Sequence, residues 1–371
     1  MNEVNKKLEA IRREIDGIDK NLLELINRRA DLAKKVAQVK DGGGSAHYYR
    51  PEREAEVLRA LTDGNDGPLP VEHLSRIFQE VMSACRALQK TLAVAYLGPE
   101  GTFTESAAFK HFGHAIDAVP VDSIGTVFRQ VEAGACDYGV VPLENSTEGV
   151  VGHTVDMFVS SGLTICGEVE LRIHHCLMAA ADGLENIARI YSHQQSFAQC
   201  RRWLDANLAN IPRETVSSNA EAARRAADEP GSGAIAGEVA AADYALSVLV
   251  ANIEDEPGNT TRFVVIGQQA VGATGRDKTS VLFSTKDHPG ALYELLQLFK
   301  ERDINMTRIE SRPSRRGNWS YVFYVDLAGH VTDANVAAAL AELEKLAPFY
   351  KFLGSYPQCG QCEQQGPMAA Q

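Results

Sequence analysis

Apolar residues recur at helical spacing from about Val4 to Lys40. Leu8, Ile15, Leu22 and Val36 make one heptad row; Ile11, Ile18, Leu25, Leu32 and Val39 make another. Only Gly17 breaks the run of good helix formers. At 1.5 Å per residue this predicts a helix roughly 55 Å long, too long for a compact domain of about 90 residues with a radius of gyration near ~12 Å. Such a helix is a coiled coil or exchanges across an intertwined dimer. DGGGSAHY ends it, and two shorter helices are expected at about Pro51–Leu61 and Pro70–Leu92, parted by TDGNDGPLP.

From Leu92 the period changes. LAVAYL precedes GPEGTFTESAAFKHF, YGVVPLEN precedes STEGVVGHTVDMFV, IARIYSH precedes QQSFAQCRRWLDANL, and GAIAG precedes EVAAADYAL. Short apolar strands alternating with amphipathic helices predict an α/β domain with a mostly parallel sheet, closing on RFVVIG. From Thr279 the pattern is strand SVLFST, helix ALYELLQLFKERD, strand INMTRIESRP, hairpin SRRGN, strand WSYVFYVDLAG, helix DANVAAALAELEKL and strand FYKFLGSY. That β-α-β-β-α-β order is ferredoxin-like. The expected domains are residues 1–92, 93–268 and 277–357, with a polar tail at 358–371.

Composition narrows the class without changing this division. The 371 residues carry a formal net charge of −12, which argues against non-specific binding to nucleic acid or an anionic membrane. The N-terminal segment reads as a polar helix rather than a signal peptide, and no 18-residue apolar run exists. Seven scattered cysteines fit a reducing compartment, so a cytoplasmic location is expected. The one close pair, Cys359 and Cys362, has no second pair to complete a zinc site. No metal or cofactor is expected. Asn-x-Ser/Thr triplets begin at Asn145, Asn259 and Asn305, and mean nothing without secretion.

In the helical segment Arg29 occupies a heptad position where an apolar residue is expected, and Lys40 lies within about 20° of it on the helix face. Two cations on a buried face need an anion; the alternative is that Arg29 snorkels to water through its aliphatic stem. Arg12 lies about 100° away on the same geometry and would serve a different site, such as that of a partner subunit.

In the α/β segment polar clusters follow the strands. GPEGTF opens a helix and could hold an anion on its amides. ENSTEG offers Glu144, Asn145, Ser146 and Thr147; YSHQQSF offers Ser192, His193 and Gln195; SSNAEAA offers Ser217, Ser218 and Asn219. Each could equally cap a helix, but several at strand ends suggest a ligand site. NTTRF starts its strand, so Thr260, Thr261 and Arg262 join that site only if the strand runs antiparallel to the others. His174 and His175 would point to opposite faces of a strand, which disfavours a shared metal.

These motifs resemble known families. Residues 1 to about 92, with LEAIRREIDGIDKNLLELINRRADLAKKVAQVK, YRPERE and CRALQK, resemble the all-helical chorismate mutases. The resemblance implies Arg12 of a partner subunit, Arg29 and Arg53 as carboxylate ligands, Lys40 and Gln89 at the ether oxygen, and Glu54 at the ring hydroxyl. Arg50 and Cys85 stand at two further contact positions, where the family version carries aspartate and serine. GPEGTF, GVVPLENSTEG, YSHQQSFAQC and NTTRFVVIG, over about residues 92–268, are similar to prephenate dehydratases. That implies a two-lobed fold like the periplasmic binding proteins, Thr261 as the essential residue, and Arg262, Asn145, Ser146, Ser192 and Gln195 around it. HPGAL and ESRPSRRGNWSY, over about residues 277–357, resemble an ACT domain. This implies phenylalanine bound near Gly290, Ala291, Leu292, Glu310, Ser311, Arg312 and Pro313, with feedback inhibition.

The expectation is a bifunctional chorismate mutase/prephenate dehydratase acting as a homodimer or larger on small-molecule substrates. The alternatives are an arogenate-preferring dehydratase with a weakened mutase, and a non-catalytic phenylalanine-binding regulator.

Overall fold

A computed structural model describes residues 3–41, 48–180, 183–313 and 321–359, the side chains of residues 40 and 41 excepted. Three helices come first: α1 (Glu3–Asp41), α2 (Pro51–Asp63) and α3 (Val71–Ala87). Proline opens α2 at its first turn, where its missing N–H costs nothing. The single long α1 agrees with the unbroken heptad pattern. Both of its heptad rows stay in water within one chain, every member being at least 46% exposed.

By contact density the described residues form two compact units. One comprises α1, most of α2, α3 and residues Phe112–Ile116. Within it, Arg86 stacks over Tyr49 at 5.2 Å and donates to the Phe112 carbonyl at 2.5 Å.

The second unit contains the remaining strands. Its first lobe is built from β1 (Ala93–Leu97), α4 (Phe103–Phe112), β2 (Asp117–Val121), α5 (Ile124–Glu132), β3 (Tyr138–Asn145), β4 (Gly149–Val150), α6 (Gly152–Ser160) and β5 (Thr164–Arg172). The chain then crosses to β6 (Cys176–Ala179), β7 (Arg189–His193), α7 (Gln194–Gln199), α8 (Arg201–Asn207) and β8 (Arg213–Val216). This second lobe is completed by α9 (Asn219–Asp228), β9 (Ser232–Ala236), α10 (Glu238–Asp243) and β10 (Ser247–Val250). The chain returns to the first lobe as β11 (Thr260–Gly267).

Both sheets are mixed rather than mostly parallel. The first runs β2-β1-β3-β11-β5, with β11 antiparallel to both its neighbours. The second runs β10-β6-β9-β7-β8, with β7 parallel to β8 and β9, and β6 antiparallel to both its neighbours, β9 and β10. The cause is the double crossing: a chain that leaves a sheet and comes back enters it from the opposite end.

The two crossings are tied together. Ile173 N–H donates to the Asn259 carbonyl at 2.8 Å, and Ile253 N–H to that of His175 at 2.9 Å. Here the structure corrects a sequence expectation, because His174 and His175 lie between strands and not in one. Both lean on Glu254, His174 through Nδ1 at 2.8 Å and His175 through its backbone N–H at 2.9 Å. Burial holds the His175 imidazole below its ordinary pKa.

The last unit is β12 (Asp277–Ser284), α11 (Ala291–Glu301), β13 (Met306–Pro313), β14 (Tyr321–Ala328), α12 (Ala334–Leu346) and β15 (Tyr350–Pro357). Its antiparallel order, β13-β14-β12-β15, is ferredoxin-like. The period-2 alternation of β12 explains what it joins. Val281 and Phe283 pack under α11 and α12, while Leu282, with Tyr324, Leu353 and Tyr356, enters the core of the first lobe. At Gly354 the two backbones meet so closely that a Cβ would lie 2.3 Å from the Ile165 carbonyl oxygen. This unit therefore shares a core with the first lobe.

Candidate active site

Because β11 is antiparallel, its first residues reach the carboxyl end of β3, and Thr261 faces Asn145 across the ladder. The two side chains touch: Asn145 Nδ2 donates to Thr261 Oγ1 at 2.8 Å. The same Nδ2 donates to Asn259 Oδ1 at 2.8 Å. Asn145 Oδ1 accepts from the N–H groups of Thr147 and Glu148 at 3.0 and 3.1 Å. Ser146, exposed, accepts from Thr260 N–H through Oγ at 3.0 Å. Thr260 is thus the capping partner of the threonine pair, its own hydroxyl turning back to Gly258. Asn259 was not selected as a site residue from the sequence, where it opened only an Asn-x-Thr triplet and the NTTRF segment.

Ser192, Gln195 and Asn219 gather in the second lobe at the carboxyl end of β7. Asn219 Oδ1 accepts from Ser192 Oγ at 3.2 Å, His193 N–H at 3.2 Å and Ser196 Oγ at 2.9 Å. Ser192 Oγ also reaches the Ile235 carbonyl at 2.9 Å. The capping alternatives hold for neighbours of these residues. Ser218 caps α9 by accepting from Glu221 N–H, and His193 caps α7 by accepting from Gln195 N–H.

Two expectations are corrected. Within GPEGTF the Gly101 amide is engaged by the protein's own anion, since Glu105 Oε2 accepts from its N–H at 2.6 Å and Oε1 from Tyr96 at 2.7 Å. Burial, then Glu105, pushes the Tyr96 hydroxyl far above its ordinary pKa, so it stays a donor. Arg262 likewise does not present its guanidinium to a ligand. It is buried, bonding Glu168 through Nε at 2.8 Å, Asp326 through Nη1 at 2.5 Å and Tyr356 through Nη2 at 2.9 Å. Lys278 Nζ closes the cluster on Glu168 at 2.8 Å. Burial alone would lower the Arg262 pKa, yet Tyr356, Glu168 and Asp326 raise it well above its ordinary value. Burial pushes Asp326 up, but Arg262 and Lys278 prevail and hold it below the usual carboxylate range. The physical reason is strand period: on β11, Thr261 and Arg262 point to opposite faces, so only one can join Asn145. Glu168, Lys278 and Asp326 were legible as charges inside apolar strands, although the sequence does not say that they meet.

The helical residues are spread out. Arg12 and Arg29 lie on one helix roughly 25 Å apart, so one small ligand cannot use both within one chain. Arg12 is exposed, and Arg29 is half-buried with Nη1 reaching the Val81 carbonyl at 3.4 Å. Arg50 precedes α2 as its N-cap, Arg53 pairs with Glu56 at 3.0 Å, and Glu54 is half-buried on α2. Cys85 is buried on α3, and Gln89 lies in the turn after it. The Lys40 side chain lies outside the described residues.

On β13, Glu310 and Arg312 alternate with the exposed Ser311 and Pro313. Arg308 pairs with Glu144, next to Asn145, and Arg312 lies 3.7 Å from Asp156 of α6. Gly290 takes the left-handed conformation, φ 84°, before α11. The Ala291 amide, expected to face a ligand, donates to the His288 carbonyl at 3.2 Å. Leu292 packs at the edge of the core under α11 and α12. The SRRGN hairpin and Cys362 lie outside the described residues. Among the described residues no group of acidic, histidine and cysteine side chains could hold a metal ion, and no helix is long and apolar enough to cross a membrane.

Residues 94–271 match the prephenate dehydratase family, residues 11–90 the type II chorismate mutases and residues 279–345 the ACT domains. A bifunctional chorismate mutase/prephenate dehydratase of Pseudomonas aeruginosa is 52% identical over 95% of this chain and 98% of its own length. One from Neisseria gonorrhoeae is 49% identical, covering 93% and 96%. A solved prephenate dehydratase from Arthrobacter aurescens, in complex with L-Phe, is 39% identical with a TM-score of 0.66, covering 71% of this chain and 89% of that one. Fold and site together define an enzyme that joins a helical mutase to a two-lobed dehydratase and an ACT unit. The chain belongs to the bifunctional chorismate mutase/prephenate dehydratases. It converts chorismate to prephenate and prephenate to phenylpyruvate, with loss of CO2 and water, in phenylalanine biosynthesis.

Proposed function

We propose that the dehydratase step is carried by Thr261 as a hydrogen-bond donor to the ring hydroxyl of prephenate as it leaves. In this step the bond from the ring to its carboxylate breaks, CO2 departs, and the electron pair moves through the ring diene. It expels the hydroxyl on the far carbon, which takes up one proton from solvent, guided by the Thr261 hydroxyl, and departs as water while the product gains aromaticity. The observation that carries the reading is the Asn145 Nδ2 bond to Thr261 Oγ1, which engages the hydroxyl oxygen as an acceptor and leaves its proton to point elsewhere. The side chains of Asn145, Thr261, Ser192 and Asn219 are neutral, and in this reading the step relies on their placement rather than on a charged acid. The test supplies prephenate and follows phenylpyruvate. Wild-type turnover in Thr261→Ala would remove the assignment.

For the mutase, the exposed heptad rows of α1 support an intertwined second copy that brings its Arg12 to the site of Arg29. A Claisen rearrangement needs no nucleophile, only a dianion held compactly and charge placed at the breaking C–O bond. Sedimentation of the full chain checks the dimer.

Feedback inhibition by phenylalanine at the ACT unit is supported by the L-Phe complex of the Arthrobacter relative. It is also supported by the docking of β13 on the first lobe through Arg308 and Glu144, beside Asn145. Absence of phenylalanine binding by calorimetry would overturn it.

A further inference from the structure

Asn145 can form four hydrogen bonds through its side-chain amide, and all four are used. Its oxygen is fixed by two backbone N–H groups, which can only donate. Its nitrogen must therefore lie on the other side, one proton toward Asn259 Oδ1 and one toward Thr261 Oγ1. This in turn fixes Asn259, because a reversed Asn259 amide would set two donors against each other. No capacity is left on Asn145 for substrate.

Asn259 is 3% exposed. Among the described residues its Nδ2, also buried, has no hydrogen-bond partner. A side chain kept only for packing would avoid that cost. What Asn259 supplies is the acceptor at Oδ1, which also receives Thr147 Oγ1 at 3.3 Å and Ser146 Oγ at 3.5 Å, both long contacts beside the 2.8 Å bond from Asn145. Among the described residues nothing accepts the Thr261 proton.

We infer that Asn259 is a positioning residue for the dehydratase reaction: it locks the Asn145 amide nitrogen onto Thr261 Oγ1, so the threonine can act toward substrate only as a donor. Without that acceptor the amide keeps its two backbone contacts at Oδ1 but loses the anchor on its second proton, so Nδ2 can tilt off Thr261 Oγ1 and the hydroxyl is released to turn its proton onto protein groups. The inference rests on Thr261 being the donor, as proposed above.

The test uses the full chain and compares Thr261→Ala, Asn259→Ala, their double variant and Asn259→Asp, which keeps an acceptor. Steady-state kinetics are run on prephenate and on chorismate, with thermal unfolding alongside. Asn259→Ala should lower dehydratase kcat roughly ten- to a hundredfold, with KM within about twofold and mutase activity unchanged. In the Thr261→Ala background the same change should cost less than about twofold, because the group it positions is gone. Asn259→Asp should keep most of the wild-type kcat. If Asn259→Ala does not fold, Asn259→Ser, too short to reach Asn145, takes its place in the cycle. Wild-type kcat in the Asn259 variant, an equal loss in both backgrounds, or an Asp variant as impaired as Ala would each overturn the positioning role. Wild-type turnover in Thr261→Ala would instead overturn the parent reading.

Discussion

Each lobe of the dehydratase carries a hydroxyl at a strand end, held by an asparagine, and the two are wired in opposite senses. Thr261 Oγ1 accepts from the Asn145 amide, so its proton is not used there. Ser192 Oγ faces two acceptors, Asn219 Oδ1 and the Ile235 carbonyl, and its single proton is spent on the protein. Identical chemistry at the tip thus leaves the proton without an acceptor among the described residues in one lobe and spends it on the protein in the other. Residue type does not distinguish them; the direction of the hydrogen bond does.

The comparison breaks first at Thr261. Thr261→Ala should lower dehydratase kcat by about 10²–10⁴-fold while chorismate turnover is unchanged, as read by assays on the two substrates. Next in size is its strand neighbour. Arg262→Met leaves Asp326 buried without its ion-pair partner and Glu168 with Lys278 alone, which should cost about 3–5 kcal/mol in a denaturant titration. A selective loss of kcat with unchanged stability would return Arg262 to the substrate. Ser192→Ala should cost about 1–3 kcal/mol through the unpaired Ile235 carbonyl, and less than tenfold in kcat. An effect on kcat equal to that of Thr261→Ala would abolish the contrast between the lobes.

The smallest effect is on acid stability. In the unfolded chain the Asp326 carboxyl titrates near 3.8, and in the folded protein it is held lower. The pair's contribution is therefore complete above that pH and is lost as the pH falls toward the depressed native value. Melting temperatures recorded between neutral pH and 3 should fall more steeply for the wild type than for Arg262→Met.

Much of this was legible from residues alone. The long α1 followed from its heptads, and the βαββαβ unit from its alternation. The approach of Thr261 to Asn145 followed from the order of strands, given an antiparallel β11. Asn259 was hidden because an asparagine at the opening of NTTRF is an ordinary residue before a strand, and nothing local marks its side chain as an acceptor. Arg262 was misassigned because proximity in sequence to Thr261 suggested a shared ligand, whereas adjacent strand residues face opposite sides.

The sequence by itself determined the element types, their order and the chemistry available, because periodicity and turn residues act over a few positions. Which groups meet was decided only by the tertiary structure. Glu168, Arg262, Lys278 and Asp326 come from four different strands, β5, β11, β12 and β14, and each would be costly to bury alone. Only the packing of β12, β14 and β15 against the first lobe brings the charges together, on the face of β11 away from Thr261.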